Sequence, residues 1–146
     1  MKKLFVSVTS ALALIAATSG ITACSHDAEN DDANVLVDET CSLGYGAVQS
    51  YHFTLANDTT VSLTVTNATG QSLGAYVVDD VNLASLKSLQ SFDYNSGLSS
   101  KAVTKEFSAS GLLKKGDWNV AIRNSAPMKD KDGNLIVQRV NVTITK

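Results

Sequence analysis

Residues 60–66 read TVSLTVT. Val61, Leu63 and Val65 alternate with Thr60, Ser62, Thr64 and Thr66. Successive side chains of an extended chain point to opposite faces. A period of two therefore predicts a strand with one apolar face and one hydroxyl-bearing face. Val and Thr branch at Cβ, which favours the extended backbone. Turn chemistry closes both ends, with Asn57-Asp58 before the stretch and Asn67-Ala68-Thr69-Gly70 after it.

The same pattern recurs outward in both directions. In SYHFTL (50–55), Tyr51, Phe53 and Leu55 oppose Ser50, His52 and Thr54. LGAYVVD (73–79) is evenly apolar up to Asp79, as expected of a strand covered on both faces. DWNVAIRN (117–124) sets Trp118, Val120 and Ile122 against Asp117, Asn119, Ala121 and Arg123. NLIVQRVNVTITK (134–146) turns Val140, Val142 and Ile144 inward, and its change of phase near Gln138-Arg139 predicts a bulge or bend. VLVD (35–38) adds an edge strand and AVTKEF (102–107) a further one. Between them, Leu83, Leu86, Leu89 and Phe92 recur every three residues behind Asp79 and Asp80, either of which can cap a short helix near 80–91. DYNSGLSS (93–100) reads as a loop. Many short strands separated by turns predict a mostly β chain: a single antiparallel β-sandwich of jelly-roll or Ig-like type, built from residues 35–146. About 110 residues is enough for one two-sheet core.

The chain has 146 residues, 12 bases and 14 acids. Asp27, Glu29, Asp31 and Asp32 lie within residues 24–34, a tract without Lys or Arg. Setting those four acids and the terminal Lys2 and Lys3 aside leaves ten acids and ten bases in residues 35–146. A neutral body has no basic footprint for phosphate backbones and excludes nucleic acid as a partner. The acidic tract has too few large apolar groups to offset its ordering entropy, so residues 24–34 are expected to form a flexible tether.

Residues 1–23 carry the parts of an export signal. Lys2 and Lys3 start it, LFVSVTSALALIAA (4–17) forms its apolar middle, and small residues end it. The end, Ile21-Thr22-Ala23-Cys24, resembles the lipobox of bacterial lipoproteins. The resemblance implies removal of the signal before Cys24, a diacylglyceryl group on its sulfur and an acyl chain on its amino group. Several acyl chains on one residue hold a protein far more firmly than one chain does. The residue after Cys24 is Ser25; in Gram-negative members Asp at that place retains the protein at the inner membrane, so Ser25 implies the outer membrane. The competing reading is an ordinary secretory signal cut near Ala17-Thr18-Ser19, releasing a soluble chain in which Cys24 and Cys41 can pair. Acylation would remove Cys24 as a partner for Cys41, which then reads as a buried small residue in preference to an intermolecular link or a free thiol.

A second resemblance lies in the body. FSASGLLKKGDWNVAIRNSA (107–126) resembles the late strands of the bacterial pre-peptidase C-terminal domain, through Gly116, the aromatic-led strand at Trp118 and its end at Asn124. YHFTLANDTTVSLTVTN (51–67) fits that domain's opening strands. The acidic residues that bind calcium in some members are not matched. The resemblance implies a jelly-roll-like sandwich that serves as an accessory module of secreted proteins.

Chemistry is sparse. His26 and His52 are the only histidines, and no G-x-S-x-G elbow is present. Zinc would need clustered Cys and His. KDKDGN (129–134) has Asp130 and Asp132-Gly133, but Met128 stands at the earlier acid position and no Glu closes the loop, so it reads as a hairpin turn. Three Asn-x-Thr sequons, at Asn57, Asn67 and Asn141, are read as incidental. Neither a metal nor another cofactor is expected. Alternation assigns Tyr51 and Trp118 to core faces, leaving Tyr45 and Tyr94 as candidate ligand contacts.

The expected protein is a non-enzymatic envelope lipoprotein, attached to the membrane through its lipid, that acts as a binding or assembly module for a protein or glycan. The alternatives are a periplasmic enzyme inhibitor or a secretion-system accessory lipoprotein. An inhibitor requires a rigid protruding loop, at 94–100 or 125–133. A hydrolase would require a carboxylate and a Ser converging on His52.

Overall fold

The computed structural model describes residues 22–26 and 34–146, and residues 1–21 and 27–33 lie outside it. Nine strands and one helix follow one another. They are β1 (Thr22–His26), β2 (Val35–Leu43), β3 (Val48–Leu55), β4 (Thr59–Asn67), β5 (Leu73–Val78), α1 (Asp80–Lys87), β6 (Ser100–Val103), β7 (Glu106–Leu113), β8 (Gly116–Arg123) and β9 (Gln138–Thr145). A 3-10 turn, Ser96–Leu98, precedes β6. One sheet has the order β1-β2-β9-β4-β7 and the other β3-β8-β5-β6, and every pairing is antiparallel. The chain is a β-sandwich.

TVSLTVT lies within β4, between β9 and β7. Val61, Leu63 and Val65 point into the core with Val140, Val142 and Ile144 of β9. Phe53, Leu55, Ala75, Val77, Val120 and Ile122 meet them from the other sheet. Full burial of a side chain of this size contributes about 1.5–3 kcal/mol. On the outer face of the larger sheet the hydroxyls satisfy one another across strands, as in Thr64–Ser108 at 3.2 Å and Ser62–Ser110 at 3.3 Å.

Both faces of β5 and β8 are covered. Leu73, Ala75 and Val77 join the core between the sheets, while Val78 and Ala121 are also buried. Helix α1 lies against β8 and β5 and buries Leu86. This double cover is why 73–79 carries no polar alternation. Asp79 caps the helix, its Oδ1 accepting from the Asn82 N–H at 2.8 Å. Asn119 Nδ2 donates to Asp80 Oδ1 at 2.7 Å and ties the first turn to β8.

The details depart from sequence expectation at four places. AVTKEF is not one strand: residues 102–103 belong to β6 and 106–107 to β7, in different sheets. VLVD extends to Leu43 and lies between β1 and β9 rather than at an edge. The phase change at Gln138-Arg139 is the start of β9, not a bulge within a longer strand. Helix α1 ends at Lys87, short of Leu89 and Phe92.

At one end of the sandwich three buried amides form a chain. Gln138 Nε2 donates to Asn124 Oδ1 at 2.8 Å, and Asn67 Nδ2 donates to Gln138 Oε1 at 3.1 Å. Asn67 Nδ2 also reaches the carbonyls of Gln71 and Val103, and Asn124 Nδ2 that of Leu43. Each buried polar group thereby finds a partner, as burial demands.

Candidate functional site

The outer surface beside β5 carries a cluster of three aromatic rings. Tyr76 of β5 meets Phe92 edge-to-face at 5.2 Å between centroids and Tyr94 at 5.5 Å; Phe92 and Tyr94 are 5.8 Å apart. Such contacts contribute about 0.5–1.5 kcal/mol beyond area burial. Gly74 makes room for the cluster. A Cβ there would stand 2.5 Å from Tyr76 Cε2, so the ring lies back over the glycine. Lys101 of β6 places Nζ 5.8 Å from the Tyr94 ring centroid, a cation–π distance.

All three rings are half-buried, and Tyr94 lines two open hollows. The first, of about 260 Å³, is lined by Asp79, Asn82, Asp93, Tyr94, Asn95 and Trp118 over Val77 and Val78. The second, of about 370 Å³, lies among Tyr76, Leu89, Gln90, Phe92, Tyr94 and Lys101.

Hydrogen bonds fix the walls of the first hollow. Asn82 Nδ2 donates to Asp79 Oδ1 at 3.0 Å, and the Asp93 N–H donates to Asn82 Oδ1 at 2.7 Å, so one amide joins the helix cap to the loop. The Asn95 N–H donates to Val77 O at 2.9 Å, and Asn95 Oδ1 accepts from the Gly97 and Leu98 N–H groups. Trp118 packs against the core and its indole N–H donates to Lys114 O. The second hollow is rimmed by an apolar side chain held out in water: Leu89 is 68% exposed and has φ 60°.

The two candidate contacts from sequence do not converge. Tyr45 is exposed in the β2–β3 turn, where the Gly46 N–H donates to Asn124 O beyond the end of β8. Tyr94 lies near the start of β8, beside Trp118. From Trp118 to Asn124 the strand runs about 20 Å. The sequence also offers Tyr76 and Trp118 to an aromatic surface, although alternation assigns Trp118 to the core; Asp93 and Leu89 carry no such signal. The signal available was the even hydrophobicity of β5 interrupted by Gly74 directly before Ala75-Tyr76.

The Cα atoms of Cys24 and Cys41 are register partners in the β1–β2 pair. Cys41 is 1% exposed and belongs to the core. Cys24–His26 thus fall within β1, whereas residues 27–33 of the expected tether lie outside the described residues.

His52 Nε2 lies 3.6 Å from Asp117 Oδ1, with both side chains more than half exposed. Thr54 Oγ1 donates to that same carboxylate oxygen at 2.7 Å. A nucleophile must face the imidazole. Here the hydroxyl is spent on the acid, and none of the three side chains lines either hollow. Among the described residues no group of three metal-ligating side chains converges. In 129–134, Asp130 Oδ1 accepts from the N–H groups of Asp132 and Asn134, which folds the segment into a turn. Asn134 Nδ2 donates to Asp130 Oδ2 at 3.0 Å, and this bond first, then the Asn134 N–H bond, holds the Asp130 carboxyl below its ordinary value. Within segment 94–100, Leu98 is fully buried while Ser96 and Gly97 are exposed.

The fold is similar to the pre-peptidase C-terminal domain of a collagenase from Bacillus anthracis, known from a 1.0 Å crystal structure. The TM-score is 0.52 at 12% identity, over 75% of this chain and 89% of that one. At this identity the likeness concerns the sandwich itself. No family model matches the chain, and no curated protein matches it.

Proposed function

We propose that the chain is a lipid-anchored, non-enzymatic binding module of the bacterial cell envelope, attached through Cys24 and presenting the Tyr94 surface to a partner. The observation that carries the anchor is the order of residues 1–24: two lysines, an apolar run shorter than a membrane span, then Ile21-Thr22-Ala23-Cys24. Ser25 favours the outer membrane. Support for binding rather than catalysis comes from the aromatic hollows, which have shape and mixed polarity but neither a paired nucleophile and base nor a metal-ligating cluster among the described residues.

The experiment is fractionation of cells expressing the wild type and Cys24→Ala. The anchor reading expects the wild type in the membrane fraction and the variant as unprocessed precursor or soluble protein. A wild type recovered processed and soluble would refute it.

One observation favours a second reading. Directly opposed residues of an antiparallel pair have Cα atoms about 4.5–5.5 Å apart, within the range a disulfide spans. The Cys24–Cys41 register therefore suits a soluble, exported chain closed by a disulfide. The two fates exclude each other, because a sulfur in a thioether to diacylglycerol is no longer a thiol.

A further inference from the structure

We propose that the hollow between Tyr94 and Trp118 receives the ammonium or guanidinium group of a Lys or Arg side chain on a partner polypeptide. The inference rests on the binding-module reading and names the chemistry of its ligand. Two aromatic rings and two carboxylates, Asp79 and Asp93, line this hollow, and no Lys, Arg or His does. Aromatic faces attract cations through their quadrupole, and carboxylates supply the complementary charge. Asp79 Oδ1 is held by Asn82, leaving its other oxygen to an incoming donor. The Tyr94 ring already accepts one cation in this fold, Lys101 Nζ at 5.8 Å.

The neighbouring surface favours a polypeptide over a small isolated cation. Leu89 and Phe92 form an apolar strip beside the same tyrosine. In an extended peptide, residues two apart on one face are separated by about 6.6–7 Å. That spacing lets a basic side chain enter the acidic hollow while an apolar one lies on the strip. An open hollow of about 260 Å³ fits one side-chain head better than a ligand that must be enclosed.

Trp118 is the sole tryptophan and lines the hollow, so its emission reports occupancy directly. The full chain in detergent would be titrated with Leu-Ser-Lys-Ser-Leu blocked at both ends, which places each Leu two residues from the Lys, with the same peptide bearing Gln or Glu at the centre, and with a neutral oligosaccharide. The Lys peptide is expected to change the emission saturably, about tenfold more tightly than the Gln peptide, and to weaken as salt rises. Asp93→Asn and Tyr94→Leu should each weaken it several-fold. Asp93 is exposed, so its variant retains the fold even if Tyr94→Leu does not. Equal binding of the Gln or Glu peptide, or of the oligosaccharide, overturns the cation proposal and leaves the binding-module reading standing. Absence of a response to every probe overturns it too.

Discussion

Leu89 follows α1 with φ 60°, the only positive φ among the described non-glycine residues. The N–H of Leu89 donates to Leu86 O and that of Gln90 to Ser85 O, the pattern of a Schellman cap in which glycine normally fills the left-handed position. A side chain there is disfavoured by about 1–2 kcal/mol. Leu89→Gly is therefore expected to raise unfolding free energy by about 1 kcal/mol, measured by urea denaturation. An unchanged or lowered midpoint would show that the side chain contributes to stability despite its exposure. Asp58 makes a second residue-scale case. Lys114 Nζ donates to its carboxylate at 2.7 Å and the Lys115 N–H at 2.9 Å, and these bonds, Lys114 first, hold its pKa below 3.8. A lowered folded value stabilises the native state above the ordinary carboxylate range, and the gain is lost as pH falls through the folded value. Carbon-detected NMR should find Asp58 titrating below 3.8 in the wild type, with the shift diminished in Lys114→Met.

Among the elements, β9 depends on more than its valines. Gln138 begins the strand at 0% exposure and links Asn67 at the end of β4 to Asn124 after β8. Gln138→Leu keeps the bulk but deprives both neighbours of a buried partner, which should lower stability by about 1–3 kcal/mol. Thermal unfolding checks it, and no change in midpoint would mean that the neighbours re-pair. Gly74→Ala should displace the Tyr76 ring, visible as a loss of near-ultraviolet circular dichroism with the β signal retained. The strand at 61–65 was legible because its burial is one-sided and therefore alternates, whereas 118–122 is buried on both faces and was legible because Asn119 and Ala121 interrupt its large apolar side chains. The split of AVTKEF was not, because the sheet change at Thr104-Lys105 depends on which strands lie nearby. The buried amide chain was equally hidden, since Gln138, Asn67 and Asn124 read as turn or surface residues until three separate elements bring them together. Tyr94 was legible as a candidate from its polar neighbours. Tyr76 stood among the possible surface aromatics without a partner assigned, and Asp93 was not legible, because loop 88–95 folds back over β5 to assemble them.

For the whole molecule, a sandwich with two closed layers leaves little room for internal chemistry and presents its faces instead. The larger sheet shows water a lattice of hydroxyls, and the smaller one carries α1 and the aromatic surface. An anchor at Cys24 would keep that surface near the membrane, and the acidic residues that follow, Asp27 to Asp32, would repel anionic headgroups. Everything in this arrangement turns on the fate of one sulfur, because Cys24 and Cys41 are Cα register partners and an acylated Cys24 could not pair. Intact mass of protein extracted from membranes is the direct measurement. The account predicts a chain beginning at Cys24 and heavier by a diacylglyceryl or triacyl increment. A soluble chain beginning near Gly20, lighter by two hydrogens through a Cys24–Cys41 disulfide, would contradict it.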